Sequence, residues 1–88
     1  MIYVKNDEDA YARWLDANAS GFVVNMHTLG KNKSMLHRAR CIHLYPPATS
    51  KEHTVTFPKA CSNDLQEVRE WVLASGSDIE PCTSCKPE

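Results

Sequence analysis

The sequence has no internal repeat, no low-complexity tract and no linker, which leaves one continuous domain over residues 1–88 as the natural organisation. It has no uninterrupted apolar stretch near the ~20 residues of a membrane span, and an acidic run, Asn6-Asp7-Glu8-Asp9, stands where a signal peptide would carry its apolar segment. The expectation is a cytoplasmic chain with no membrane partner. It lacks a Ser/His/Asp set, paired carboxylates and a Gly-rich phosphate loop, so an enzyme is not expected, with neither alkyl transfer nor redox activity. Aromatic residues are few: two Trp, two Phe and three Tyr. A chain this short buries only somewhat more than ~60 % of its unfolded surface, so apolar burial alone leaves a thin stability margin.

Four cysteines, Cys41, Cys61, Cys82 and Cys85, are present to supplement that core. In a reducing compartment disulfides are disfavoured, and cysteines at ligand spacing point to a structural metal. Cys82-Thr83-Ser84-Cys85 is a CxxC whose two thiolates can converge on one ion, with turn amides facing the sulfurs. A thioredoxin-type motif has the same spacing but opens a helix after a strand, and this one has no helix to open. Upstream, His37-Arg38-Ala39-Arg40-Cys41 supplies a second pair as HxxxC. Structural zinc sites close with four protein ligands, so five candidates compete for four positions. Cys41, Cys82 and Cys85 are common to both solutions. The fourth ligand is either His37, favoured by its spacing to Cys41, or Cys61, read as lying at the N-terminal edge of a helix whose dipole would lower its pKa. His27, His43 and His53 are isolated, with His43 the nearest substitute ligand.

The pattern around these residues is α+β. Asp7 to Asn18 reads as a helix capped by Asn6, with Asp9 at the capping-box position and Tyr11, Trp14 and Leu15 on one face. Gly21 to His27 and Ser34 to Arg38 read as a hairpin turning at Gly30-Lys31-Asn32-Lys33. Two prolines, Pro46 and Pro47, exclude an inner strand over 45–50, and His53 to Phe57 reads as a third antiparallel strand ending at Pro58. A second helix spans about Asp64 to Ser75, capped by Ser62 or Asn63 and stopped by Gly76, with Leu65, Val68 and Val72 as its apolar stripe and Trp71 beside it. The architecture expected is an N-terminal helix, a three-stranded antiparallel sheet, a second helix and a C-terminal CxxC knuckle, held by one structural zinc.

Over residues 35–88 this arrangement resembles the zinc-binding N-terminal domain of the Ada DNA-alkylation-repair proteins. That family shows a CRPxC segment, an NVxF-like strand, a helix ending at glycine, and RPCxxC. Here Met35-Leu36-His37-Arg38-Ala39-Arg40-Cys41, Thr54-Val55-Thr56-Phe57, Gly76 and Glu80-Pro81-Cys82-Thr83-Ser84-Cys85 stand in those places. The sequence looks closer still to related modules with His in place of the first cysteine, which accompany nuclease and DNA-binding domains. In the Ada-type domain that first cysteine is both ligand and methyl acceptor; His37 occupies the position here, and an imidazole is not a thiolate nucleophile, so methyl transfer is not implied.

The net charge of −1 conceals a division. Between residues 21 and 61, Lys31, Lys33, Arg38, Arg40, Lys51 and Lys59 stand against Glu52 alone, and both flanks are acidic. Lys31, Lys33, Arg38 and Arg40, if they share one side, form a phosphate-binding patch for DNA or another nucleic acid. The competing readings make those charges a solvated hairpin face, or place Arg38 and Arg40 around the thiolates, in a module that binds a protein partner instead. Tyr45 and Phe57 are the residues able to stack on a base, whereas Trp14 and Trp71 belong to helix faces that pack inward.

Overall fold

A computed structural model describes residues 1–26, 34–41, 44 and 58–87 of the chain. Strand β1 (Ile2–Val4) leads into helix α1 (Glu8–Ala17), followed by β2 (Phe22–Asn25), β3 (Ser34–Arg38), β4 (Lys59–Ser62), helix α2 (Leu65–Ala74) and β5 (Ile79–Pro81). The α+β class holds, but among the described residues the sheet is five-stranded and mixed, in the order β1-β4-β2-β3-β5. The first four strands pair antiparallel and β5 joins β3 in parallel. Since β4 and β5 therefore run in the same direction, α2 is the crossover between them.

The two helices cover opposite faces, and the alternation of β2 shows why. Val23 packs with Val4, Tyr11, Leu15 and Cys61 under α1, while Val24 packs with Leu36, Ala60, Val68 and Val72 under α2. Register carries the alternation across the sheet. Ile2, Cys61, Val23 and His37 form one row, and Tyr3, Ala60, Val24, Leu36 and Pro81 form the next. Gly21 is required by close approach: a Cβ there would stand 2.6 Å from the Trp14 ring and 2.9 Å from Asn63 Oδ1. Trp14 and Trp71 are half-buried at the edges of the two cores, Trp71 with its ring centroid 5.2 Å from that of Tyr3.

Several expectations are corrected. Asn6 does not cap α1; it takes a left-handed φ of 56° in the turn out of β1, and Asp7 is the cap, accepting from Ala10 N–H at 3.0 Å. Asp64 caps α2 through Gln66 and Glu67, while Ser62 Oγ accepts from Asp64 N–H and donates to Glu67. Gly76 ends the helix with φ 90° as expected. The turn at 30–33, most of the loop after Cys41 and the proposed strand His53 to Phe57 lie outside the described residues; of that loop, Leu44 is described and donates its N–H to Cys41 C=O at 2.9 Å. On the side of β2 away from β3, the pairing strand is Lys59–Ser62, directly after Pro58. Its residues are weak strand formers, but all four are buried between β1 and β2. Small side chains at 60–62 suit a strand covered on both faces, so position overrides propensity.

Candidate metal centre

The site forms where the β3–β5 ladder ends. Leu36 is the partner of Pro81, and the next rung continues that register, with Cys82 N–H donating to Leu36 C=O at 2.8 Å. One step further along each strand, His37 and Cys82 therefore come side by side, with His37 in the row that faces α1. A turn after β3, closed by Cys41 N–H to Arg38 C=O at 3.0 Å, folds Cys41 back over them. The knuckle at 83–85 is closed by Lys86 N–H to Cys82 C=O at 3.1 Å, with Lys86 in the left-handed region at φ 47°.

His37, Cys41, Cys82 and Cys85 thus each offer a ligand atom, and the four atoms lie within 4.8 Å of one another. Cys41 Sγ and Cys82 Sγ are 3.9 Å apart. A tetrahedral ion with metal–sulfur bonds of ~2.3 Å spaces its sulfurs by ~3.8 Å, so the separation suits a shared ion. It is far too long for an S–S bond of ~2.05 Å, and none of the four cysteines is in a disulfide. His37, Cys41 and Cys82 are 7 %, 2 % and 6 % exposed, and Cys85 is half-buried.

Burial opposes ionisation of Cys82. The backbone N–H groups of Cys85 and Ser84, with the Cys85 and Cys41 side chains, outweigh it and hold the thiol below its ordinary value. Cys85 Sγ accepts the Arg38 N–H at 3.3 Å, and the Arg38 guanidinium donates to Cys85 C=O and Lys86 C=O, each at 3.0 Å. Arg38 is therefore a clamp on the knuckle, the role of outer partners that orient metal ligands. Arg40 is exposed and donates to Asp16 C=O at the end of α1, at 3.3 Å.

Cys61, the alternative fourth ligand, is not in the cluster. It sits in β4 opposite Val23, which in turn stands opposite His37. Two interstrand spacings, ~10 Å, separate its backbone from that of His37. Nor does Cys61 edge a helix: α2 begins at Leu65. Burial pushes its thiol up to about 12, against the lowering expected from a helix dipole. Lys59, counted with the basic middle segment, is 4 % exposed, donates to Asn25 Oδ1 and lies 5.8 Å from the Tyr11 ring centroid. Burial lowers its amine to about 8. Sequence reasoning missed this polar group; its signal, Lys at alternate spacing from Cys61, appears only once 59–62 is read as a strand. Lys31, Lys33 and His43 lie outside the described residues.

No family model matches the chain, and no curated protein or solved structure is similar to it. Among the described residues no helix is long and apolar enough to cross a membrane.

Proposed function

We propose that the chain is a structural zinc module of the Ada-like, His-containing kind that contacts nucleic acid. The observation that carries the metal part is the convergence of one imidazole and three sulfurs from the end of β3, the turn after it and the knuckle after β5. Soft sulfur donors with one imidazole suit zinc, and four protein donors leave no open position for a substrate, which makes the role structural. Bound there, the ion would hold the sulfurs as thiolates near neutral pH. Binding energies of ~10–16 kcal/mol for structural zinc match or exceed the ~5–15 kcal/mol total stability of ordinary domains. The ion would thus secure a corner whose ladder is only three residues long and ends in a proline.

Contact with nucleic acid is supported by the resemblance over 35–88 and by Lys31, Lys33, Arg38 and Arg40 in the basic segment. The second reading, a protein-binding adaptor with the same metal, is favoured by the engagement of Arg38 and Arg40 with main-chain carbonyls. Titrating labelled single- and double-stranded oligonucleotides into zinc-loaded protein at ~50 and ~200 mM salt separates the two, because each phosphate contact contributes a log–log slope of ~0.7–0.9. The nucleic-acid reading expects binding that weakens steeply with salt, with a slope reduced by about one in Lys31→Gln or Lys33→Gln. Absence of binding at the lower salt leaves the adaptor.

A further inference from the structure

The two edges of the sheet are finished differently. β5 carries a charged residue, Glu80, and ends in Pro81, whose nitrogen has no hydrogen to donate; both devices discourage a further strand. β1, at the other edge, is Ile2-Tyr3-Val4, without proline or charge, and pairs with β4. Among the described residues no strand pairs with its other side. The exposed large apolar side chains among the described residues are Met1, Ile2, Tyr3 and Leu73, and the first three are consecutive in and just before this open edge. Helix α2 borders it. The Tyr3 and Trp71 ring centroids are 5.2 Å apart, and the Met1 amine is 3.0 Å from Glu67 Oε1. A groove of about 610 Å³ is lined there by Met1, Asp64, Gln66, Glu67, Glu70 and Trp71. Glu67, Glu70 and Trp71 stand at i, i+3 and i+4, on one face of the helix. The bonds made by the three carboxylates each use one oxygen: Asp64 Oδ1 caps the helix, Glu67 Oε1 takes Ser62 and the Met1 amine, and Glu70 Oε1 takes Gln66. The groove therefore combines an open strand edge, an aromatic ring and an excess of negative charge.

We propose that this groove docks an extended, basic segment of a protein partner, which adds to β1 as a further strand and lays Lys or Arg side chains against Glu67, Glu70 and the Trp71 ring. Alternate side chains of an added strand fall on the α2 side of the sheet, where Tyr3 meets Trp71. Basic residues at every second position thus meet the carboxylates, and an arginine can lie over the indole. Main-chain bonds to β1 supply attraction open to any sequence, and the charge selects among sequences. A second copy of the chain is disfavoured as the occupant. Two β1 edges paired antiparallel would set both α2 helices side by side on one face, acid against acid. Four interstrand spacings, ~19 Å, separate β1 from β5 and the metal cluster, so the inference rests on neither reading of the metal module.

The test titrates the isotope-labelled full chain, as purified, with a peptide of about seven residues alternating arginine and valine at ~50 mM salt, followed by amide spectra and hydrogen exchange. Two further peptides accompany it: one with glutamate in place of arginine, and the basic peptide N-methylated on the edge that would pair with β1. The expected result is movement of the Ile2–Val4 and α2 amides, and exchange protection at the β1 amides that face away from β4. The glutamate and N-methylated peptides should bind at least tenfold more weakly. Glu70→Gln should weaken binding of the basic peptide by roughly two- to fivefold, whereas Glu80→Gln, the same charge change at the other edge, should leave it unchanged. Both positions are exposed, and the amides of β2 and β3 report that each variant is folded. No binding, equal binding of the N-methylated peptide, movement centred on β5, or equal effects of the two substitutions overturns the proposal. Broadening of the β1 amides with protein concentration, in the absence of peptide, assigns the edge to a second copy and overturns it as well.

Discussion

Cys61 and Cys82 are both buried, in opposite halves of one sheet, and their thiols move in opposite directions. Cys61 lies in the half held by apolar contact on two faces, with Val4, Tyr11, Leu15 and Val23 on its own side, and burial raises it to about 12. Cys82 lies at the β3–β5 end, where the neighbouring buried groups are His37 and Cys41, and hydrogen-bond donors lower it despite burial. Burial alone holds a cysteine as a small protonated hydrophobe; burial among hydrogen-bond donors favours its thiolate form, the form a metal ion would bind. On the proposed zinc reading, the chain therefore has two ways of holding a sheet together, one at each end.

The largest effect should follow from removing a cluster sulfur. Cys82→Ser should lose metal binding and unfold the β5 and knuckle region, with a stability loss that can reach the whole of the ~5–15 kcal/mol a small domain possesses. Amide exchange with and without zinc measures it. Leu36→Ala removes a fully buried side chain from the core beneath α2 and should cost about 2–5 kcal/mol in urea unfolding while the folded chain still takes up metal. Retention of metal in that variant and its loss in Cys82→Ser would separate the two modes of support. Equal loss in both would merge them.

Cys61→Ala should have the smallest effect, about 1 kcal/mol near neutral pH, with metal content unchanged. Its signature is in the pH dependence. The folded thiol keeps its proton up to about 12, whereas the unfolded thiol releases it near 9.0. Between those values the folded state binds more protons, so this group's contribution to stability declines as pH rises. Lys59 acts oppositely: its folded amine titrates near 8 and its unfolded amine near 10.5, so its contribution rises across that window. Urea midpoints from pH 8 to 11 should accordingly decline less above pH 9 in Cys61→Ala than in the parent, and Lys59→Met should lose the rise that begins near pH 8.

The long elements and the ligand spacing were legible in the sequence because each rests on local chemistry. Both helices have apolar stripes, although their caps, Asp7 and Asp64, fall just after the residues the sequence suggests; β2 and β3 have β-branched or alternating residues, and HxxxC with CxxC anticipates the four atoms that converge. Strands β1, β4 and β5 were not legible. Each is three or four residues long, too short for periodicity to register, and each exists through its partners: β4 through β1 and β2, β5 through β3. The exclusion of Cys61 from the cluster depended on that missing strand. Read as a helix edge, Cys61 was free to reach the site; fixed in β4, with β2 in between, it is not. The clamp by Arg38 needed the fold too, since the residues it joins are separated by 47 and 48 positions.

The central claim is that one ion joins the end of β3 to the knuckle, and native mass spectrometry of protein purified without added zinc or chelator tests it most directly. The account predicts one zinc per folded chain, retained in Cys61→Ala and absent from Cys82→Ser. A chain found metal-free whose fold persists through strong chelators, or zinc lost from Cys61→Ala, would contradict it.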